Sequence, residues 1–244
     1  VLLEVLLPPA TRPDIRPGRQ VAFGRGVLLF AAKDLRIELS SRVATHQVLP
    51  FAGIVLLMFA FASDPDATAL RHVAPGMFWT AVLLAAVLAA SRAARLEVEN
   101  GARDAARMSP VDPGAVFLGK VLAVFAQLLA LEVALLVGLV AVYGYDVQHP
   151  FILVTSAVAA SLGIASVGLL YATLAASLQM RDTLLPLLML PVLAPVALGG
   201  SQAWLAAGQA GPGDGLRWVQ LLAVFACLFT TFGATAYGAL VEEA

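Results

Sequence analysis

The residue best placed by type to do chemistry is Glu132, in the middle of the apolar run QLLALEVALLVG over residues 127–138. A carboxylate at the centre of such a run costs on the order of a few kcal/mol in hydrocarbon, which the flanking leucines, valines and alanines can offset. An acid held there either faces the interior of a helix bundle as part of an ion or proton path, or makes a packing hydrogen bond to another helix. Gln127, five residues earlier, suits the second use. A second group of charges lies in SRAARLEVENGARDAARMSPVDPG, residues 91–114. Arg95 and Glu99 are four apart, as are Glu99 and Arg103, which is the spacing of ion pairs on a helix surface. Gly101 interrupts the pattern, and Pro110 and Pro113 end it. A solvated loop accounts for mixed charge of this kind. A short polar helix would instead let Arg95, Glu97, Glu99, Gly101, Arg103 and Asp104 dock a soluble motor and pass its movement on. His72 and His149 fall in expected loops on the outer face, and His46 lies where the first span begins. Isolated loop histidines can ligate iron, but more often they are surface residues. Cys227, the single cysteine, excludes an internal disulfide or a CxxC site and reads as a small buried hydrophobe. No Walker A loop, HExxH or GxSxG pattern occurs, so no catalytic or metal centre is expected, and any ATP would be bound by another chain.

The elements that must hold these groups are set by composition. Of 244 residues, 60% are hydrophobic and 13% charged, with a mean hydropathy of +0.88. Soluble domains carry about 25% charged residues, enough to cover their outside. This chain has too few, and lipid removes the requirement. The net charge of −1 gives no reason to expect nucleic acid. The expected fold is all-α and polytopic, with six transmembrane helices near 47–63, 75–91, 116–142, 151–177, 183–200 and 217–241. Residues 21–244 form this membrane domain. Residues 1–20, with four prolines and no basic n-region, read as a disordered extension rather than a secretory signal. Of the 15 Lys and Arg, only Arg71 and Arg217 fall on one side of the six-span arrangement. The positive-inside rule then puts both termini in the cytoplasm.

Between 21 and 45, Val27, Leu28, Phe30, Ala31, Leu35, Leu39 and Val43 recur at roughly helical spacing among Lys33, Asp34, Arg36, Glu38 and Arg42. This is the pattern of an amphipathic helix in the membrane interface, in contact with lipid. In the fourth span, Gly168, Ala172 and Ala176 repeat every four residues, and Ser161 with Ala165 does the same. Such stripes allow close approach within the bundle or to a second copy of the chain. In the fifth span Pro186, Pro191 and Pro195 predict a distorted or broken helix, a moving or cavity-lining element. Trp79, Trp204 and Trp218 near span ends fit an aromatic belt.

Several of these segments resemble the haem-exporter B family of membrane permeases. They are KDLRIELSS at 33–41, the block from Ala74 to Lys120 with Pro75-Gly76, Glu97–Gly101, Pro110-Val111-Asp112 and Gly119-Lys120, the acid at Glu132, and the proline-rich Thr183–Leu198. The resemblance covers residues 30–240. It departs from the family at Ala102-Arg103-Asp104, where many relatives are richer in leucine, and at residues 1–20. It implies an ABC-2 type permease of the bacterial inner membrane. Such a subunit has no catalytic site of its own and couples ATP hydrolysis by a cytoplasmic ATP-binding partner to haem export, or to release of a haem-loaded chaperone in cytochrome c biogenesis. The implied partners are a haem-handling membrane protein, a small single-span subunit and a periplasmic haem chaperone, with haem as the handled ligand. Two other readings share the residues: an ABC-2 exporter for a drug or lipid-linked glycan, and an ion-coupled secondary transporter centred on Glu132.

Overall fold

A computed structural model of the chain describes residues 22–41, 47–62, 67–99, 111–175, 181–211 and 213–243, and these form seven helices with no strand. They are α1 (Phe23–Ser41), α2 (Leu49–Ala62), α3 (Ala67–Glu99), α4 (Pro113–Tyr143), α5 (Pro150–Ala175), α6 (Arg181–Ala207) and α7 (Gly215–Glu243). The extension expected at 1–20 lies outside the described residues.

Among the described residues five stretches, within α3 to α7, are long and apolar enough to cross a membrane: Ala69–Ser91, Pro113–Tyr143, Pro150–Ala175, Pro186–Ala207 and Gly215–Val241. The helix in the expected first span, α2, has 14 residues. At about 1.5 Å per residue it covers about 21 Å, less than the roughly 30 Å of a hydrocarbon core.

Local chemistry explains where several helices begin and end. Before α4, the Asp112 side chain accepts from the backbone N–H of Gly114 at 2.8 Å and of Ala115 at 3.3 Å, and Pro113 fills the first helical position. This satisfies two of the four N–H groups a helix start leaves open. The same helix stops at Gly144, whose φ of 59° is the left-handed conformation that glycine adopts without strain. By contrast, α3 starts at Ala67, well before Pro75-Gly76, so Pro75 is interior and removes one backbone donor. Helix α6 runs unbroken through Pro186, Pro191 and Pro195. Of the two outcomes the prolines left open, a break does not form.

The bundle is built around α5, which packs on α3, α4, α6 and α7. Its serines, alanines and glycines make that possible. Gly163 sits against the Phe225 ring of α7, and Ser166 shares a 2.8 Å hydrogen bond with Thr230. Gly168 faces Met189 of α6 and Ala90 of α3, and Ala172 is buried beside it; Ala176 lies outside the described residues. Helix α2 rests on α3 and α4, where Tyr143 donates to the Leu56 carbonyl at 2.7 Å.

Helix α1 lies along the start of α4. The two meet where Gly26 faces Val111 and Ala115, and where Gly119 faces Val27 and Phe30. A Cβ on Gly119 would come within 2.6 Å of the Phe30 Cβ and 2.8 Å of the Val27 carbonyl oxygen. Gly26 and Ala31 are buried in this contact, whereas Leu28, Leu29 and Ile37 stay exposed beside Arg25, Lys33 and Arg36. The apolar residues of α1 therefore divide between a face on α4 and a face on its surroundings.

These contacts make glycine replacement informative. Gly119→Ala and Gly200→Ala, the latter placing a Cβ 2.5 Å from the Trp79 indole, should each lower stability by roughly 1–3 kcal/mol through overpacking. Gly53→Ala, with nothing within 4 Å, should be neutral or stabilising by up to about 1 kcal/mol. Thermal unfolding of the purified variants in one detergent checks the contrast.

Candidate functional site

Glu132 projects from α4 into the bundle and is 3% exposed. The Ser161 hydroxyl of α5, itself fully buried, donates to Glu132 Oε1 at 2.5 Å. Glu132 Oε2 is buried with no hydrogen-bond partner. Sequence marked Ser161 only as a small residue in a packing stripe. Its hydroxyl is the partner of the acid because α4 and α5 are antiparallel neighbours and both residues lie near mid-helix. Gln127 is half-buried. Five residues of α-helix turn it about 140° from Glu132, so the two polar groups do not share a face.

The charged segment is divided. Arg95, Glu97 and Glu99 belong to the last turns of α3, in one helix with the apolar stretch Ala69–Ser91. The separate short helix expected here therefore does not account for these three residues. The physical reason is that the i, i+4 pattern of Arg95 and Glu99 continues the helical path of Ser91 without a break. Gly101, Arg103 and Asp104 lie outside the described residues, as does His46.

A second polar site lies at the opposite end of the bundle from α1. The loop after α4 is anchored to the end of α6, because the backbone N–H groups of Gln148 and His149 each donate to the Ala207 carbonyl at 2.9 Å. The Tyr145 hydroxyl donates to the Trp204 carbonyl at 2.5 Å, and its ring stacks over Trp204 with centroids 6.3 Å apart. Trp204 stacks on Phe78 at 4.2 Å and meets Trp79 edge-on at 5.6 Å. Trp79 and Trp204, expected at the lipid interface, are 0% and 1% exposed. They fill the core here because Gly200 lets α6 close on the Trp79 ring. Both indole N–H groups and His149 Nε2 are buried without partners. Trp218 is partly buried.

Above the aromatic group is a cavity of about 200 Å³ lined by Arg71, His72, Tyr145, Asp146, Leu205, Gly208 and Gln209. His72 is not in a loop: it lies in α3, one residue after Arg71. Gln148 Nε2 donates to the Asp146 carboxylate. Burial first, and then the neighbouring Asp146 charge, hold the Tyr145 phenol above its ordinary range, so it stays a neutral donor. Arg71, Tyr145 and Gly208 are too far apart in sequence for spacing to have suggested the site. Cys227 is exposed on α7 rather than buried.

Comparison with known proteins fits the extent of this bundle. The family model described as CcmB protein matches residues 26–243. A heme exporter protein B from Pseudomonas aeruginosa is 29% identical over 211 residues, covering 85% of this chain and 94% of that protein. The protein of the same name from Rhodobacter capsulatus is 28% identical over 172 residues, 70% of this chain and 78% of its own. That of Escherichia coli K12 is 31% identical over 90 residues, 37% and 41% of the two chains. The matched region takes in every helix from α1 to α7 almost entirely, and the chain belongs to the CcmB protein family.

Proposed function

We propose that this chain is the membrane permease subunit of an ATP-driven haem export system that serves c-type cytochrome assembly. Family membership and relatives named heme exporter protein B support haem as the handled substrate. The observation that carries the coupling role is α3, a single helix from Arg71 at the cavity end, through an apolar stretch, to the charged turns at Arg95–Glu99. Continuous helix transmits displacement along its axis, which a flexible loop does not. In this reading the charged end and the following residues 101–104 receive a cytoplasmic ATP-binding subunit. The haem-handling membrane protein, the single-span subunit and the periplasmic chaperone join the assembly from the membrane and the far side.

The topology that goes with this function has six crossings and both termini in the cytoplasm of a bacterial inner membrane. Helix α2 would be the sixth, carrying the chain from the α1 end of the bundle to the start of α3. Helix α1 would lie in the interface, with Leu28, Leu29 and Ile37 toward acyl chains and Arg25, Lys33 and Arg36 toward headgroups. Pro186, Pro191 and Pro195 leave three carbonyls of α6 without helical donors, which suits a helix that bends during a transport cycle.

Deletion of the gene should abolish haem staining of c-type cytochromes, whereas an exporter of a drug or lipid-linked glycan would leave it unchanged. The intact chain should co-purify with an ATP-binding protein. Charge reversal at Glu97 or Glu99 should weaken that association about tenfold or more, if the pairs across the contact are desolvated. Normal haem attachment in those variants would refute the lever role.

The buried carboxyl of Glu132 favours one other reading, an ion-coupled transporter in which this acid carries the proton. Glu132→Gln separates the two, because an amide keeps a hydrogen bond to Ser161 but cannot exchange a proton. The permease reading expects near-normal cytochrome c maturation in this variant, and the ion-coupled reading expects none. Ser161→Ala should destabilise the bundle by about 1–3 kcal/mol in thermal unfolding, the cost of an unpartnered buried polar group.

A further inference from the structure

The coupling role assigns no ligand to the cavity at the far end of the bundle, although charged side chains line it. Arg71 of α3 and Asp146 of the loop after α4 line the same space. Among the described residues no ion pair joins them, although Lys33 with Asp34 and Arg217 with Asp214 do pair. A cation and an anion that face one small cavity and do not meet are complementary to a molecule carrying both charges. The Asp146 wall is held in place. Gln148 holds the Asp146 carboxylate from one side, and the loop is tied to Ala207 by two backbone hydrogen bonds. The Arg71 guanidinium lies over Gly144, 3.5 Å from where a Cβ would stand, so the left-handed glycine that ends α4 also leaves room for the cation.

Size and place narrow the ligand. Cavities for whole drug-sized molecules run about 300–1,000 Å³. A volume of about 200 Å³ takes a group rather than a macrocycle. The cavity sits where α3 begins, α6 ends and α4 gives way to its loop, the level of headgroups for helices that span a bilayer.

We propose that this cleft binds the headgroup of a phospholipid that carries a phosphate and a primary ammonium, as phosphatidylethanolamine does. The phosphate sits on Arg71 and the ammonium on Asp146. The guanidinium fork matches phosphate oxygens. Asp146 keeps acceptor positions beyond the one that Gln148 uses, and a primary ammonium supplies N–H donors for them. A quaternary choline has none to offer, and a glycerol headgroup has no cation.

The test is native mass spectrometry of the full-length protein released from nanodiscs of equal phosphatidylethanolamine, phosphatidylcholine and phosphatidylglycerol. The unaltered protein should retain phosphatidylethanolamine about tenfold over each of the others, the effect of one charge-assisted hydrogen bond. D146N should erase that preference while retention of all three continues. R71Q should lower retention of all three about tenfold, and R217Q, at the same end but outside the cavity, should change nothing. Equal retention of the three lipids by the unaltered protein would overturn the proposal without reference to any variant. So would a preference that survives D146N. Water-soluble glycerophosphoethanolamine at matched concentration should not displace the lipid; displacement would assign the cleft to a soluble solute instead.

Discussion

Hydrocarbon gives two apolar helices no reason to leave lipid for one another, so a bundle such as this one must associate through close contact and a few hydrogen bonds. The glycine contacts follow from that constraint. Gly119 admits α1 against α4, Gly163 admits α7 against α5, and Gly200 admits the Trp79 ring against α6. Around these contacts, polar links among the described residues join the helices: Ser161 to Glu132, Ser166 to Thr230, Tyr143 to the Leu56 carbonyl. Helix α5 can be central because its side chains are small enough for four neighbours to reach it.

The same constraint gives the two polar sites their different characters. Glu132 is surrounded by packed helices and has one partner, so it is part of the bundle's internal geometry whatever else it does. The cavity at Arg71 and Asp146 is at an end of the bundle, where water and headgroups can meet its charges. Helix α3 connects that end with the charged turns at Arg95–Glu99. Between the two ends, α3 passes through the core at Ala74, Phe78, Trp79 and Val82.

Much of the fold was legible because lipid demands long apolar runs, and runs can be read without knowing what they touch. The stretches from Pro75 to Val241 fall where helices α3 to α7 form. Helix limits were harder to read. Pro75 looked like a start, yet α3 begins at Ala67, since membrane helices can tolerate an interior proline. The charges after Ser91 looked like a separate element, yet their i, i+4 spacing suits continued helix equally well. Trp79 and Trp204 were misplaced for another reason. An indole near a span end suits an interface and a packed core alike, and only Gly200 beside Trp79 decides for the core.

By itself the sequence determined that the chain is helical and membrane-embedded, that a carboxylate sits in mid-run at Glu132, and that its charges gather near particular helix ends. Those properties depend on composition and on periodicity along one segment. Tertiary structure alone decided that Ser161 is the partner of Glu132, that Cys227 faces outward, and that Arg71 and Asp146 share a cavity without pairing. Each of these joins residues from different helices, or depends on the rotation of a helix about its axis. An almost uniformly apolar helix has no polar face to reveal that rotation. It is set by where neighbouring glycines and serines allow the backbones to meet.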